Sequence, residues 1–198
     1  MADFNGDDSP NVYTGGIDND TISGNGGDDT LSGGGGDDDI AGGAGSDTLN
    51  GGSGADWLYS GERAGPFNLP YYDNPWTAPL LDRGSEHDEL NGGDGDDRIF
   101  AGYGDSVDGG AGDYAGDYLY ISFMGASASV VFDGRLATQT IGGGTITGIE
   151  NISWVEGSDF ADTLIVETAS ANGYSQFTAV FGMGGNDQLV AGYYTGYM

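Results

Sequence analysis

Residues 15–59 read GGIDNDTIS (15–23), GNGGDDTLS (24–32), GGGGDDDIA (33–41), GGAGSDTLN (42–50) and GGSGADWLY (51–59), one pattern repeated without a gap. GDDSPNVYT (6–14) precedes them as a looser copy. The consensus is G-G-x-G-x-D-x-U-x, with U apolar. Its sixth position reads Asn11, Asp20, Asp29, Asp38, Asp47 and Asp56, and its eighth Tyr13, Ile22, Leu31, Ile40, Leu49 and Leu58. A period of nine matches no helical face, and Gly and Asp are poor helix formers. The spacing predicts a tight turn over positions one to six, then a three-residue strand with only position eight facing inward.

Downstream the pattern returns. RGSEHDELN (83–91) is a degraded unit with Asp88 and Leu90, and GGDGDDRIF (92–100) is a full one with Asp97 and Ile99. AGYGDSVD (101–108) is one residue short and carries Asp105 and Val107; GGAGDYAGDYLY (109–120) is three residues longer and carries Asp117 and Leu119. GMGGNDQLV (182–190) supplies a last unit with Asp187 and Leu189.

Composition narrows the chemistry. The chain has 198 residues, with 41 Gly, 32 acidic residues and 4 basic ones, for a formal net charge of −28. That balance argues against nucleic acid and against an anionic membrane surface, both of which need a basic footprint. No apolar run approaches the ~18 residues of a spanning helix. The start, MADFNGDD, has neither a basic segment nor an apolar core and does not read as a secretory signal peptide. There is no Cys and a single His, His87, so thiolate and imidazole metal sites are disfavoured. Low hydrophobicity with such charge ordinarily means disorder, so something must neutralise the acids. Gly lets backbone carbonyls converge and Asp adds a carboxylate. An all-oxygen set of that kind suits a hard cation, calcium above all. A lone turn Asp reads as solvated; the register of the sixth positions argues for sites. Asp7, Asp8, Asp28, Asp37 and Asp39 fall off that position and read as solubilising charge.

The units resemble the RTX nonapeptide repeats of secreted Gram-negative proteins, the serralysin and hemolysin type. The resemblance extends weakly into 146–164, where Glu150 and Ile152, then Asp162 and Leu164, take the acidic and apolar roles and Trp154-Val155-Glu156 reads as an insertion. It implies an all-β, right-handed parallel β-roll with a β-strand extension, two units per turn and several calcium ions between units n and n+2. By that resemblance one site joins Gly16, Asp18 and Asp20 to Gly33, Gly35 and Asp38. A second joins Asn25, Gly27 and Asp29 to Gly42, Ala44 and Asp47. A third joins Gly34, Gly36 and Asp38 to Gly51, Ser53 and Asp56. Asn11 in place of Asp weakens the step to Asp29. In the second block Gly84, Glu86 and Asp88 face Ala101, Tyr103 and Asp105, while Gly93, Gly95 and Asp97 face Gly109, Ala111 and Asp117. The resemblance further implies type I secretion from a Gram-negative bacterium and folding in extracellular calcium, in a structural or adhesive module without catalysis. Its alternatives are an accessory module of a hydrolase or toxin, and a polysaccharide-binding module.

The organisation read from the chain is a first repeat block (6–59), a Pro- and aromatic-rich insertion (60–82), a second block (83–121), a β-rich extension (122–181) and a last unit that stops within a further one (182–198), as a piece of a longer protein would. Phe67, Tyr71, Tyr72 and Trp76 make the insertion either a lid or a platform for a glycan or protein. YLYISFM (118–124) and ASVVFDG (128–134) read as strands, and 138–154 as turns and short strands. Nothing before Gly6 caps the repeats, which suggests end-to-end association. One His excludes HExxH; no GxSxG, complete GxGxxG or P-loop occurs. His87 reads as a surface residue.

Overall fold

The computed structural model describes residues 3–61, 81–113, 115–166 and 179–191. Among them every element is a strand. Odd-numbered strands build an eight-stranded sheet in the order Asp3–Asn5 (β1), Thr21–Gly26 (β3), Asp39–Ala44 (β5), Trp57–Tyr59 (β7), Arg98–Ala101 (β9), Tyr118–Ser122 (β11), Asn151–Glu156 (β15) and Ala179–Phe181 (β17). A second sheet runs from Val12–Thr14 (β2) through Thr30–Gly35 (β4), Thr48–Ser53 (β6), Glu89–Asp94 (β8) and Ser106–Ala111 (β10). It closes on Gly144–Thr147 (β14) and its antiparallel partner Thr138–Ile141 (β13). Val131–Asp133 (β12), Thr163–Val166 (β16) and Gln188–Ala191 (β18) form a third sheet of three parallel strands. The chain is a parallel β-roll.

The nine-residue period sets the register. Two units make one coil, so each strand pairs with its equivalent two units on: Ile22 with Ile40, Leu31 with Leu49, Ile40 with Leu58. The insertion leaves this register intact, with Leu49 paired to Leu90 and Leu58 to Ile99. Like therefore stacks on like. The eighth positions from Ile22 to Leu119 are at most 2% exposed, and each contributes ~2 kcal/mol of burial to the core between the sheets. Phe123 and Phe132, ring centroids 5.6 Å apart and both fully buried, carry that core into the extension.

The strands outgrow the expected three residues. In regular units they are six long, because the first three positions of the following unit stay in the ladder. The alternating glycines permit it: Gly34 (φ 105°) and Gly36 (φ 99°) adopt left-handed backbone on either side of an extended residue, so the chain pairs and turns at once. Trp154-Val155-Glu156 is likewise strand and not an insertion. β15 continues through it, with a bulge that shifts pairing from Leu119–Ile152 to Tyr120–Trp154. The N-terminal end also has a cap that the repeat pattern did not disclose. β1 precedes Gly6, and Phe4 stacks on Tyr13 at 4.2 Å, with both rings packed against the end of the core.

Candidate metal centre

Consecutive loops fall on alternate edges of the roll, so the sixth-position acids form two columns. Along one edge the backbone N–H of Asp20 donates to Asp38 Oδ1, that of Asp38 to Asp56, that of Asp56 to Asp97, each at 2.8 Å. The column continues from Asp97 to Asp117 at 2.8 Å and ends with the Asp117 N–H on Glu150 Oε2 at 2.9 Å, so Glu150 takes the Asp role. Along the other edge the same bond links Asn11 to Asp29, Asp29 to Asp47, Asp47 to Asp88, and Asp88 to Asp105. A short third column joins Val130, Asp162 and Asp187.

Each carboxylate thus spends Oδ1 on the neighbouring coil. The second oxygen is different. Oδ2 of Asp29, Asp38, Asp47, Asp56, Asp97 and Asp117 is buried with no hydrogen-bond partner. Six orphaned anionic oxygens in register are costly unless a cation or a proton meets them. Burial accordingly pushes these carboxyls up, Asp47 and Asp97 to about 6 and Asp56 and Asp117 to about 7. Asp88 reaches about 8, raised first by burial and then by the charge of Asp105.

No side chain fits at position one beside these carboxylates. A Cβ on Gly51 would run into Asp56 Oδ2 and lie 2.5 Å from the Gly92 carbonyl oxygen. A Cβ on Gly24 would run into Asp29 Oδ2 and lie 2.6 Å from the Gly42 carbonyl. Gly92 stands in the same way against Asp97 and the Gly109 carbonyl, and Gly33, Gly42 and Gly109 lie against the carboxylates of Asp38, Asp47 and Asp117. Beside Gly24, Gly51 and Gly92 the orphaned carboxylate oxygen thus converges with the position-one carbonyl oxygen of the next coil. Oxygen donors of that kind fit calcium and disfavour soft metals.

The remaining residues singled out in the sequence sit in these loops. Gly27, Gly36 and Gly95 hold left-handed backbone at position four, as do Gly34 and Gly93 at position two. Asn25 takes φ 76° there, and its Nδ2 donates to the Gly6 carbonyl at 2.8 Å. Gly26 pairs with Ala44, Gly35 with Ser53, and the Ala111 carbonyl accepts Gly95 N–H at 3.0 Å. In the loop of Gly16 and Asp18, Asp20 Oδ2 accepts the N–H of Gly16, four residues back, at 2.9 Å, as Asp162 Oδ2 does from Ser158.

Several of the site's features escaped the sequence. Asp28 and Asp37 are not merely solubilising: their Oδ1 atoms accept the N–H of Ser46 and Ala55 at 3.0 Å, and Asn19 accepts Asp37 N–H at 2.9 Å. Position five thus makes an outer ladder parallel to the inner one. Asp96 belongs to it, accepting from Asp113, Ala115 and Gly116. The steps from Asp47 to Asp88 and from Asp56 to Asp97 cross the insertion; counting units through it would have found them. His87 is exposed, yet its Nδ1 lies 2.6 Å from the Gly104 carbonyl oxygen. The aromatic platform of Phe67, Tyr71, Tyr72 and Trp76 lies outside the described residues.

Comparison with known families agrees with this geometry. Residues 5–40, 32–62 and 83–114 match the family model of the RTX calcium-binding nonapeptide repeat (4 copies). No curated protein matches the chain.

Proposed function

We propose that this chain, which carries RTX calcium-binding nonapeptide repeats over residues 5–114, is a secreted, non-catalytic structural or adhesive module that folds when it meets calcium. The observation that carries the reading is the row of partnerless Oδ2 atoms along both edges. Bound calcium supplies positive charge beside paired carboxylates. Asp20, Asp29, Asp38, Asp47, Asp56, Asp88, Asp97, Asp105 and Asp117 hold it, together with loop carbonyls such as those of Gly33, Gly42, Gly51, Gly92 and Gly109.

The rest follows from the chain. At −28 it repels itself, and its apolar stripe is one residue in nine. The sites do not exist until two coils stack, so binding energy is folding energy. An affinity on the order of 10⁻⁴–10⁻³ M, as in extracellular modules, keeps the chain loose in a calcium-poor cytosol and folds it outside. That behaviour suits export of an unfolded chain by a type I system. The Phe4–Tyr13 pair covers the end of the core, so the calcium-dependent end-to-end pairing included in this reading rests on the open backbone edges of β1 and β2 alone; a single-chain mass by light scattering in millimolar calcium would remove that part.

Circular dichroism of the full chain tests the core of the proposal. β signal should be small in chelator and rise cooperatively with calcium, while magnesium, which demands tight octahedral geometry, substitutes poorly. A fully formed roll in chelator at pH 8 would overturn it.

A further inference from the structure

The seventh repeat is where the roll departs from its own rule. Gly15 N–H donates to the Ser32 carbonyl, a bond from position one to position nine of the coil neighbour. Ser60 N–H makes the same bond to Phe100 at 3.0 Å, and its carbonyl accepts Gly43 N–H at 2.9 Å. Ser60 therefore occupies position one of the unit whose sixth position is Asp88, and the inserted residues interrupt that unit's ligand loop. The loop it faces, 101–108, is one residue short: Asp105 Oδ2 reaches back three residues to Gly102 N–H, where Asp20 reaches back four to Gly16. His87 Nδ1 engages the Gly104 carbonyl as well. The two ligand loops of this step therefore both depart from the regular nine-residue form.

A third carboxylate stands there. Asp82, at the return of the insertion, brings a carboxylate oxygen within 4.8 Å of those of Asp88 and Asp105. Its Oδ1 accepts Gly84 N–H at 2.7 Å, which fixes the side chain. A Cβ on Gly102 would lie 2.7 Å from its Oδ2, so only glycine leaves that oxygen its place. Asp88 is 2% exposed and uses Oδ1 on Asp47, and Asp105 is equally buried.

We propose that Asp82 is a third carboxylate ligand of a calcium ion held with Asp88 and Asp105, at the step where one ligand loop is interrupted and the other is a residue short. The inference rests on the calcium reading above. The site ties the return of the insertion to the edge of the roll, so the same ion that stacks the seventh and ninth units closes the base of the inserted segment. More ligand charge raises affinity, so this step fills before the regular two-carboxylate steps.

The experiment is calcium titration of the full chain, followed by calorimetry and circular dichroism, for the unaltered protein, Asp82→Asn, Asp105→Asn and the double variant. Asn at 82 keeps an oxygen for Gly84 N–H and loses only the charge. Asp82→Asn should remove or weaken, on the order of tenfold, the tightest class of sites, while the roll still forms at saturating calcium. Asp82→Asn and Asp105→Asn should be non-additive, because they empty one site; Asp82→Asn combined with Asp29→Asn should be additive. Tight-site titration unchanged by Asp82→Asn, or strict additivity with Asp105→Asn, overturns the inference and leaves the calcium reading standing. If Asp82→Asn does not fold, Asp82→Glu decides: it keeps the charge, so restored tight binding supports ligation and a continued loss overturns it. No calcium response in the unaltered protein would sink the general reading first.

Discussion

Replacing Asp38 probes the columns at their most connected point. Its Oδ1 accepts Asp20 N–H and its own N–H donates to Asp56, both at 2.8 Å, while its Oδ2 has no protein partner. Asp38→Ala removes a charge-assisted hydrogen bond, ~1.5–3 kcal/mol, and strands the Asp20 N–H for about 1–3 kcal/mol more. A loss of about 4 kcal/mol is the central figure. Folding that takes up an ion at each Asp-to-Asp step of the two columns, seven in all, shares this loss among seven equilibria. At ~1.4 kcal/mol per tenfold, the calcium midpoint should rise about two- to threefold. The curve should also flatten, since two steps lose a ligand. Asp38→Asn keeps an oxygen for Asp20 N–H and isolates the charge term. Asp8→Ala is the control: Asp8 is exposed and off the columns, and its cost should stay within ~0.5 kcal/mol, no resolvable shift. The assay is β signal against free calcium. Equal shifts for Asp38→Ala and Asp8→Ala would refute the column argument and reduce the acids to bulk charge.

Acid should partly replace calcium. The folded pKa values of Asp47, Asp56, Asp88, Asp97 and Asp117, about 6 to 8, lie above the ordinary 3.8, so the metal-free fold binds more protons than the unfolded chain. Its stability is greatest below pH 3.8 and falls as pH rises through 6 to 8; in chelator, β signal should return on acidification from pH 8, and a flat profile would count against buried carboxyls. Gly51→Ala drives a methyl group against the Asp56 carboxylate and the Gly92 carbonyl, displacing both, and should lower the number of ions bound by calorimetry, whereas Gly16→Ala, with open space beside it, should not. Arg83 holds the buried Glu156 through two bonds of 2.9 and 3.1 Å; Arg83→Ala should cost about 1–3 kcal/mol, a drop of ~2–6 °C in the calcium-loaded thermal midpoint, and an unchanged midpoint would mean that solvent screens the pair.

The register of the roll is legible in the chain because one residue type recurs at one spacing. Ile22, Leu31 and Ile40 mark every strand centre, and the acid two residues before each marks every step. What escaped was set by neighbours in space. Asp37 looks like spare charge until Ala55 N–H arrives from the next coil. Ser60 looks like the first residue of an insertion until Gly43 and Phe100 claim its backbone. Asp82 lies in no repeat, and only folding brings it to Asp88 and Asp105. Beyond Leu119 the eight-stranded sheet goes on while its partner ends in the β13–β14 hairpin, and a third sheet takes over around Phe132 and Leu164. No periodicity announces that hand-over, because packing of single large side chains decides it.

The coil-on-coil register has a mechanical side. Equivalent residues lie 18 apart, so one coil stores about 60 Å of extended chain while lengthening the roll by one strand spacing, ~4.8 Å. Load along the roll axis meets one coil at a time, since each is bonded only to its neighbours. The regular coils therefore make a spool: they yield in equal steps and rewind when tension drops, and on the calcium reading proposed above a bound ion latches each turn. Two coils of the columns are much longer. That from Asp47 to Asp88 holds 41 residues and releases about 140 Å at once, and that from Asp117 to Glu150 holds 33 and releases about 110 Å.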